Sequence, residues 1–171
     1  VSQANNLIGA SSLVVDPTGR YLFVSGSGSS VGVTAFSIDA QGAVAQVGQI
    51  SGASEYYING LALSPDGKTL YAIHADVGNY TLNTITVGAD GALTLVSTEP
   101  FADDGGDSGE ALASNLVVSA DGTALFVIGK NITIFSRAED GSLTLKQTIS
   151  SGCDSSLAIS FSSLQNIALS A

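Results

Sequence analysis

Chemistry in this chain would have to come from a small set of side chains, and His74 is the first of them. It is the single histidine in 171 residues, and Asp76 follows two positions later. An imidazole beside a carboxylate is a minimal acid–base pair and the beginning of a metal site. No second histidine and no nucleophile accompany the pair in the same stretch, so the competing reading of His74 is an ordinary polar residue at a strand end. A second group is Ala102-Asp-Asp-Gly-Gly-Asp-Ser-Gly-Glu110, where Asp103, Asp104, Asp107 and Glu110 share a glycine-rich stretch. Carboxylates gathered in this way are hard oxygen ligands for Ca²⁺, which takes about six to eight of them. The spacing follows neither the EF-hand order nor a calcium-binding nonapeptide, so a solvated acidic loop that holds no cofactor is the alternative. Glu55, Tyr56 and Tyr57 form a third group, whose rings could stack on a sugar or a partner surface, or pack inward. Cys153 stands alone and reads as a small, partly buried thiol. Ser25-Gly-Ser-Gly-Ser-Ser30 lacks the lysine and the following helix of a phosphate-binding loop and reads as a flexible connection.

These residues must be positioned by β-hairpins. Asn59-Gly-Leu-Ala-Leu-Ser-Pro-Asp-Gly-Lys-Thr-Leu-Tyr-Ala-Ile-His74 has alternating apolar residues on either side of a Pro-Asp-Gly turn, in which proline pre-sets φ and glycine is free to take a positive one. The hairpin recurs at Ser12–Ser25, at Asn115–Ile128 and, more weakly, at Ser156–Leu169. Its first apolar residues are Leu13, Leu61, Leu116 and Leu157, and subtraction gives spacings of 48, 55 and 41. Each of the first three copies continues into a β-branched strand, a glycine turn (Gly42, Gly91, Gly141) and a further strand. Four strands per repeat, a to d in chain order, at a period of about 40 to 50 residues fit a propeller blade better than a helical repeat. His74 ends strand b of the second copy, where the others have Ser25 and Gly129. No stretch has a sustained helical period. The expectation is an all-β chain forming one domain over 1–171, with consecutive four-stranded antiparallel blades at approximately 11–58, 59–110 and 111–154 and partial blade strands at 1–10 and 155–171.

Composition limits the partners. Fifteen acidic residues face five basic ones, a net charge of −10. Nucleic-acid binding needs lysine and arginine to neutralise phosphates, so that class is excluded, as is attraction to an anionic membrane. No apolar run reaches the roughly 18 to 20 residues of a spanning helix, and no membrane insertion is expected. The chain opens on Val1 rather than on a methionine or a basic leader, which suggests a mature product or a piece of something longer. Richness in Gly, Ser, Thr, Val and Ala points to a secreted or cell-surface setting.

With these stretches in view, Leu13-Val-Val-Asp-Pro-Thr-Gly-Arg-Tyr-Leu-Phe-Val24, Val33-Thr-Ala-Phe-Ser-Ile-Asp39 and Leu61-Ala-Leu-Ser-Pro-Asp-Gly-Lys-Thr-Leu-Tyr71 resemble the repeats of lactonase-type and YVTN-type β-propellers. The resemblance implies a propeller of which this chain is about half, and, for the lactonase members, hydrolysis of sugar lactones by residues around the central channel. The matched positions belong to turns and core. None of the family's catalytic residues is carried onto this sequence, and Tyr57-Ile58-Asn59 stands where those enzymes often have a Pro-Arg pair.

Blade geometry sorts the connections onto two faces. The d–a and b–c loops share the face where propellers usually bind, with Glu55, Asp76, Glu99, Asp154 and the 103–110 acids opposed by Lys130. The a–b and c–d turns share the other, with Arg20, Lys68 and Arg137. The expected function is therefore a non-catalytic binding or interaction module that uses its acidic loop face on a protein or carbohydrate ligand, with self-association or pairing with a second propeller half. A sugar-lactone hydrolase built on His74 and Asp76 and a structural repeat of a large adhesin or fibre are the alternatives.

Overall fold

The computed structural model describes residues 9–26, 32–51, 57–76, 79–101, 115–129 and 131–150. Among them are twelve strands and no helix. The first sheet is β1 (Ser12–Val15), β2 (Tyr21–Ser25), β3 (Val33–Ile38) and β4 (Val44–Ile50). The second is β5 (Tyr57–Leu63), β6 (Thr69–Asp76), β7 (Asn79–Val87) and β8 (Leu93–Phe101). The third is β9 (Asn115–Val118), β10 (Ala124–Ile128), β11 (Asn131–Arg137) and β12 (Leu143–Ser150). Each sheet is an antiparallel meander in which chain order and spatial order coincide.

The turns explain why the same hairpin forms three times. Gly19, Gly67 and Gly122 have φ of 71°, 72° and 73°, a region open to glycine at no steric cost. Their amides donate to Asp16, Ser64 and Ser119 carbonyls at 2.8–2.9 Å. The side chains of those same three residues accept the amides of Tyr21, Thr69 and Ala124, at 2.7, 2.9 and 2.9 Å, and so close the first rung of each second strand. Between the third and fourth strands the register slips once, at Ala35/Phe36, Thr84/Ile85 and Ile134/Phe135, a bulge repeated at one place in every sheet. Such bulges add twist, which stacked blades need.

Carboxylates brace these turns. The Ser119 hydroxyl and the backbone and side chain of Thr123 all donate to Asp121, which lowers its pKa to about 2. The hydroxyl of Ser64 lowers Asp66 and that of Ser142 lowers Asp140 in the same direction. A carboxyl with a folded pKa below its unfolded one stabilises the fold above the unfolded value, and that contribution is lost as pH falls through the folded value. For Asp121 the window runs from 3.8 down to about 2. A carbon-detected NMR titration is expected to find the Asp121 midpoint near 2 in the native chain, and a midpoint near 3.8 would mean that the turn hydrogen bonds are not made.

The sheets pack face to face. Phe23, Val33 and Ala35 of the first meet Ile58, Leu61, Leu70, Ala72 and Ile85 of the second. On the far side of the second sheet, Ala62, Tyr71, Ile73 and Leu82 meet Leu116, Leu125, Val127 and Phe135 of the third. Polar links cross both interfaces on the turn side: the Tyr21 hydroxyl donates to the Ala89 carbonyl at 2.9 Å, and the Tyr71 hydroxyl to the Gly141 carbonyl at 2.7 Å. The outward face of the first sheet breaks the pattern at its inner strand. Leu13 is 63% exposed, against 4% for Leu61 and 3% for Leu116 at the same place in the other sheets.

Four sequence expectations are corrected here. Tyr57 is not a loop residue: it opens β5, paired with Ala75. Glu99 lies within β8 opposite Leu82, because that strand runs on to Phe101 instead of ending near Ser97. Asp76 is the last residue of β6, paired with Asn79. The pairing also moves the equivalent of His74. Ser25, Ile73 and Ile128 pair with Val33, Leu82 and Ile132 at matching rungs, so His74 corresponds to Gly26, one place beyond the Ser25 read from sequence, and to Gly129 as read. In each blade this place is the seventh after the turn glycine, Gly19, Gly67 or Gly122, and β6 runs through it to Asp76 whereas β2 and β10 end just before it.

Candidate functional site

The meander puts the beginnings of β3, β5 and β7 and the ends of β4 and β6 on the face opposite the Gly-containing turns. Strand ends of the first two sheets diverge there and leave a cleft of about 120 Å³. Val33 and Ile50 line it from the first sheet, Ile58, Ile85 and Leu95 from the second, and these make an apolar lining. His74, Thr81, Asn83 and Thr98 add a polar strip.

Strand pairing sets this strip. His74 pairs with Thr81 across β6 and β7, and Asn83 pairs with Thr98 across β7 and β8, so the four side chains stand on the side of the second sheet that faces the first. Thr81 Oγ1 lies 3.4 Å from Nδ1 of the half-buried His74. The Thr98 hydroxyl donates to Asn83 Oδ1 at 2.9 Å, which fixes the amide so that its N–H groups are turned to other acceptors. The arrangement offers hydroxyl, amide and imidazole groups beside branched aliphatic side chains. That combination suits recognition of a small group with one polar and one apolar side.

Of the residues singled out from sequence, the structure places His74 in this cleft. Tyr57 and Asp76 have strand backbones beside it, and their side chains lie outside the described residues, as do Glu55 and Tyr56 entirely. Asp103, Asp104, Asp107, Glu110, Asp154 and Cys153 also lie outside them. Among the described residues no three His, Cys, Asp or Glu side chains gather as a metal site. Asn131, the acceptor of an Asn-x-Thr glycosylation pattern, is 5% exposed and therefore closed to a glycan. Sequence reasoning missed Thr81, Asn83 and Thr98. The signal that would have found them is departure from the repeat: strand pairing puts Thr34 and Thr133 at the place of Asn83, and Gly32 and Asn131 at the place of Thr81.

No family model matches the chain. No curated protein matches it either. Solved structures do. A candidate 6-phosphogluconolactonase from Bacteroides uniformis superposes with a TM-score of 0.72 at 24% identity, over 84% of this chain and 41% of that one. A second, from Bacteroides fragilis, gives 0.68 at 24% identity, over 81% and 38%. A β-propeller domain from Myceliophteria thermophila gives 0.57 at 15% identity, over 75% and 41%. The chain folds as part of a β-propeller. Its four-stranded sheets are propeller blades, and it spans about two fifths of the length of these structures. β1, β5 and β9 are the inner strands of the blades, and β4, β8 and β12 the outer ones.

Proposed function

We propose that this chain is a non-catalytic binding module built from propeller blades, acting at the face that carries the d–a and b–c connections, in a secreted or cell-surface protein. The observation that carries the reading is the cleft between the first two blades on that face, with His74, Thr81, Asn83 and Thr98 on one strip. The opposite face is closed by turns whose polar groups are already spent on one another, as in the Asp16, Ser64 and Ser119 caps. The ligand is a carbohydrate or a protein segment. The exposed Leu13 favours pairing with a further blade or a second chain.

The test is amide chemical-shift mapping on the labelled chain against panels of short oligosaccharides and peptides. Shifts gathered at Val33, Ser51, Ile58 and Thr81–Asn83 are expected. Shifts gathered at the turns around Gly19, Gly67 and Gly122 would sink the proposal.

A second reading, hydrolysis of a sugar lactone, draws on His74 as the titratable side chain lining the cleft and on the likeness in fold to the candidate lactonases. It requires a base to activate water beside a polarised carbonyl. The binding reading expects glucono-δ-lactone to open at the same rate with and without the protein. Acceleration that disappears in His74→Ala would establish the hydrolase instead.

A further inference from the structure

We infer that the cleft between the first two blades takes an uncharged, hydroxyl-bearing ring, the chemistry of a monosaccharide, and turns away the phosphorylated form of the same ring. This deepens the binding reading above and rests on it.

Three observations lead there. The first is the composition of the lining. Ile50, Ile58 and Leu95 offer the apolar surface on which the C–H side of a sugar ring packs, while Asn83, Thr98 and His74 offer donors and acceptors for its hydroxyls. The volume, about 120 Å³, lies well below the roughly 300 to 1,000 Å³ of drug-sized pockets, so one ring is the natural occupant.

The second is where the chain abandons its repeat. The core positions of the three blades stay apolar, and so do most rungs beside them. At the cleft, His74 stands where the other blades have Gly26 and Gly129, and Asn83 where they have Thr34 and Thr133. Blade stacking does not ask for an imidazole or an amide at these places, because the other two blades fold with glycine and threonine there. Local departures from an otherwise consistent pattern mark sites used for something besides folding.

The third is charge. None of the described residues lining the cleft is lysine or arginine, and Lys130 lies outside the described residues. Among the described residues, Arg20 and Lys68 lie at a–b turns, Arg137 spends its guanidinium on Tyr71, Gly122 and Thr69, and Lys146 is on the outer strand β12. A phosphate is held by arginine, lysine or a nest of backbone amides. A chain of net charge −10 also repels an approaching dianion.

The experiment titrates the labelled chain with D-glucose, D-galactose, D-mannose and N-acetyl-D-glucosamine, and with the 6-phosphate of each, at 0.15 M salt as an ordinary physiological condition. At least one neutral sugar is expected to shift the amides of Ser51, Ile58 and Thr81–Asn83, with its 6-phosphate at least about tenfold weaker, a difference of about 1.4 kcal/mol. Asn83→Ala is expected to weaken that sugar about tenfold. Leu95→Arg, a change at a half-exposed position, supplies a cation and is expected to reverse the preference toward the phosphorylated sugar. Equal or tighter binding of the 6-phosphate by the unaltered chain would overturn the inference, as would undiminished sugar binding in Asn83→Ala. If no monosaccharide shifts these amides while oligosaccharides or peptides do, the inference fails and the binding reading stands. Shifts confined to the turns would remove both.

Discussion

Tyr71→Ala is expected to lower the unfolding free energy by about 3 to 5 kcal/mol, the range for removing a buried aromatic ring. The ring is fully buried between the second and third blades, among Ile73, Leu82, Leu125 and Val127. Its hydroxyl adds a second contribution that can be separated from the first. It donates to the Gly141 carbonyl at 2.7 Å and accepts from Arg137 Nε at 2.8 Å. Burial raises the phenol's pKa and Arg137 pulls it back only in part, so the group stays neutral and remains a donor at ordinary pH. Tyr71→Phe keeps the ring and strands both partners, at a cost of about 1 to 3 kcal/mol. The corresponding bond at the other interface, from the Tyr21 hydroxyl to Ala89, is exposed, and Tyr21→Phe is expected to cost less than Tyr71→Phe. Equilibrium urea unfolding of the three variants checks the order. A Tyr71→Phe variant as stable as the parent would mean that the hydroxyl does not link the blades.

Arg137 belongs to the same network, and sequence placed it on the turn face without showing what it holds there. In the structure its guanidinium reaches the Tyr71 hydroxyl, the Gly122 carbonyl at 3.1 Å and Thr69 Oγ1 at 3.1 Å. The equivalent positions in the other blades are Ile38 and Val87, by the rungs Tyr21–Ser37 and Thr69–Thr86 that precede them. A single-sequence reading had no means of telling a cation that spans two blades from one that points to water.

The strands, by contrast, were legible because local rules and global packing agree in them. Pro-Asp-Gly and Pro-Thr-Gly turns, β-branched residues and a repeated period all specify the same meander, and the four-strand repeat, the turn positions and the two faces follow. What was not legible was register at the cleft. The irregularity between Ile58 and Gly60 sets His74 opposite Ile58 rather than Asn59, an offset inside one strand that no periodicity announces. β6 and β7 run to Asp76 and from Asn79, and the pairing of β7 with β8 sets Asn83 opposite Thr98. The acids that dominated the sequence reading of the site are charges in connections, whose positions no periodicity fixes. The residues that line the cleft are uncharged and sit on strands, where a threonine or an asparagine is easily passed over as ordinary strand surface.

The glycines of the outer turns offer the sharpest comparison of backbone strain with packing. Gly42 and Gly91 close the same c–d turn in successive blades, with φ of 79° and 82°, so alanine meets the same left-handed penalty at both, about 1 to 2 kcal/mol. Their surroundings differ. A Cβ on Gly42 meets nothing within 4 Å, whereas one on Gly91 lies 2.7 and 2.8 Å from Cε1 and Cδ1 of Tyr21 and 2.9 Å from Cγ2 of Val47. The Tyr21 ring is tied by its hydroxyl to Ala89 in the turn that holds Gly91, so it cannot swing aside without giving up that bond. Gly91→Ala is therefore expected to lose about 1 to 3 kcal/mol more than Gly42→Ala, the usual cost of forcing extra volume into a packed contact. Thermal unfolding followed by circular dichroism measures both. Equal losses would mean that the first blade yields at Tyr21, and that its contact with the second is held by the buried Phe23, Val33 and Ala35 cluster and the Ser12–Leu61 hydrogen bond instead. A larger loss at Gly91 would instead make the turn-side contact a second, independent point of attachment between blades, which fixes the angle at which the two sheets diverge toward the cleft on the other face.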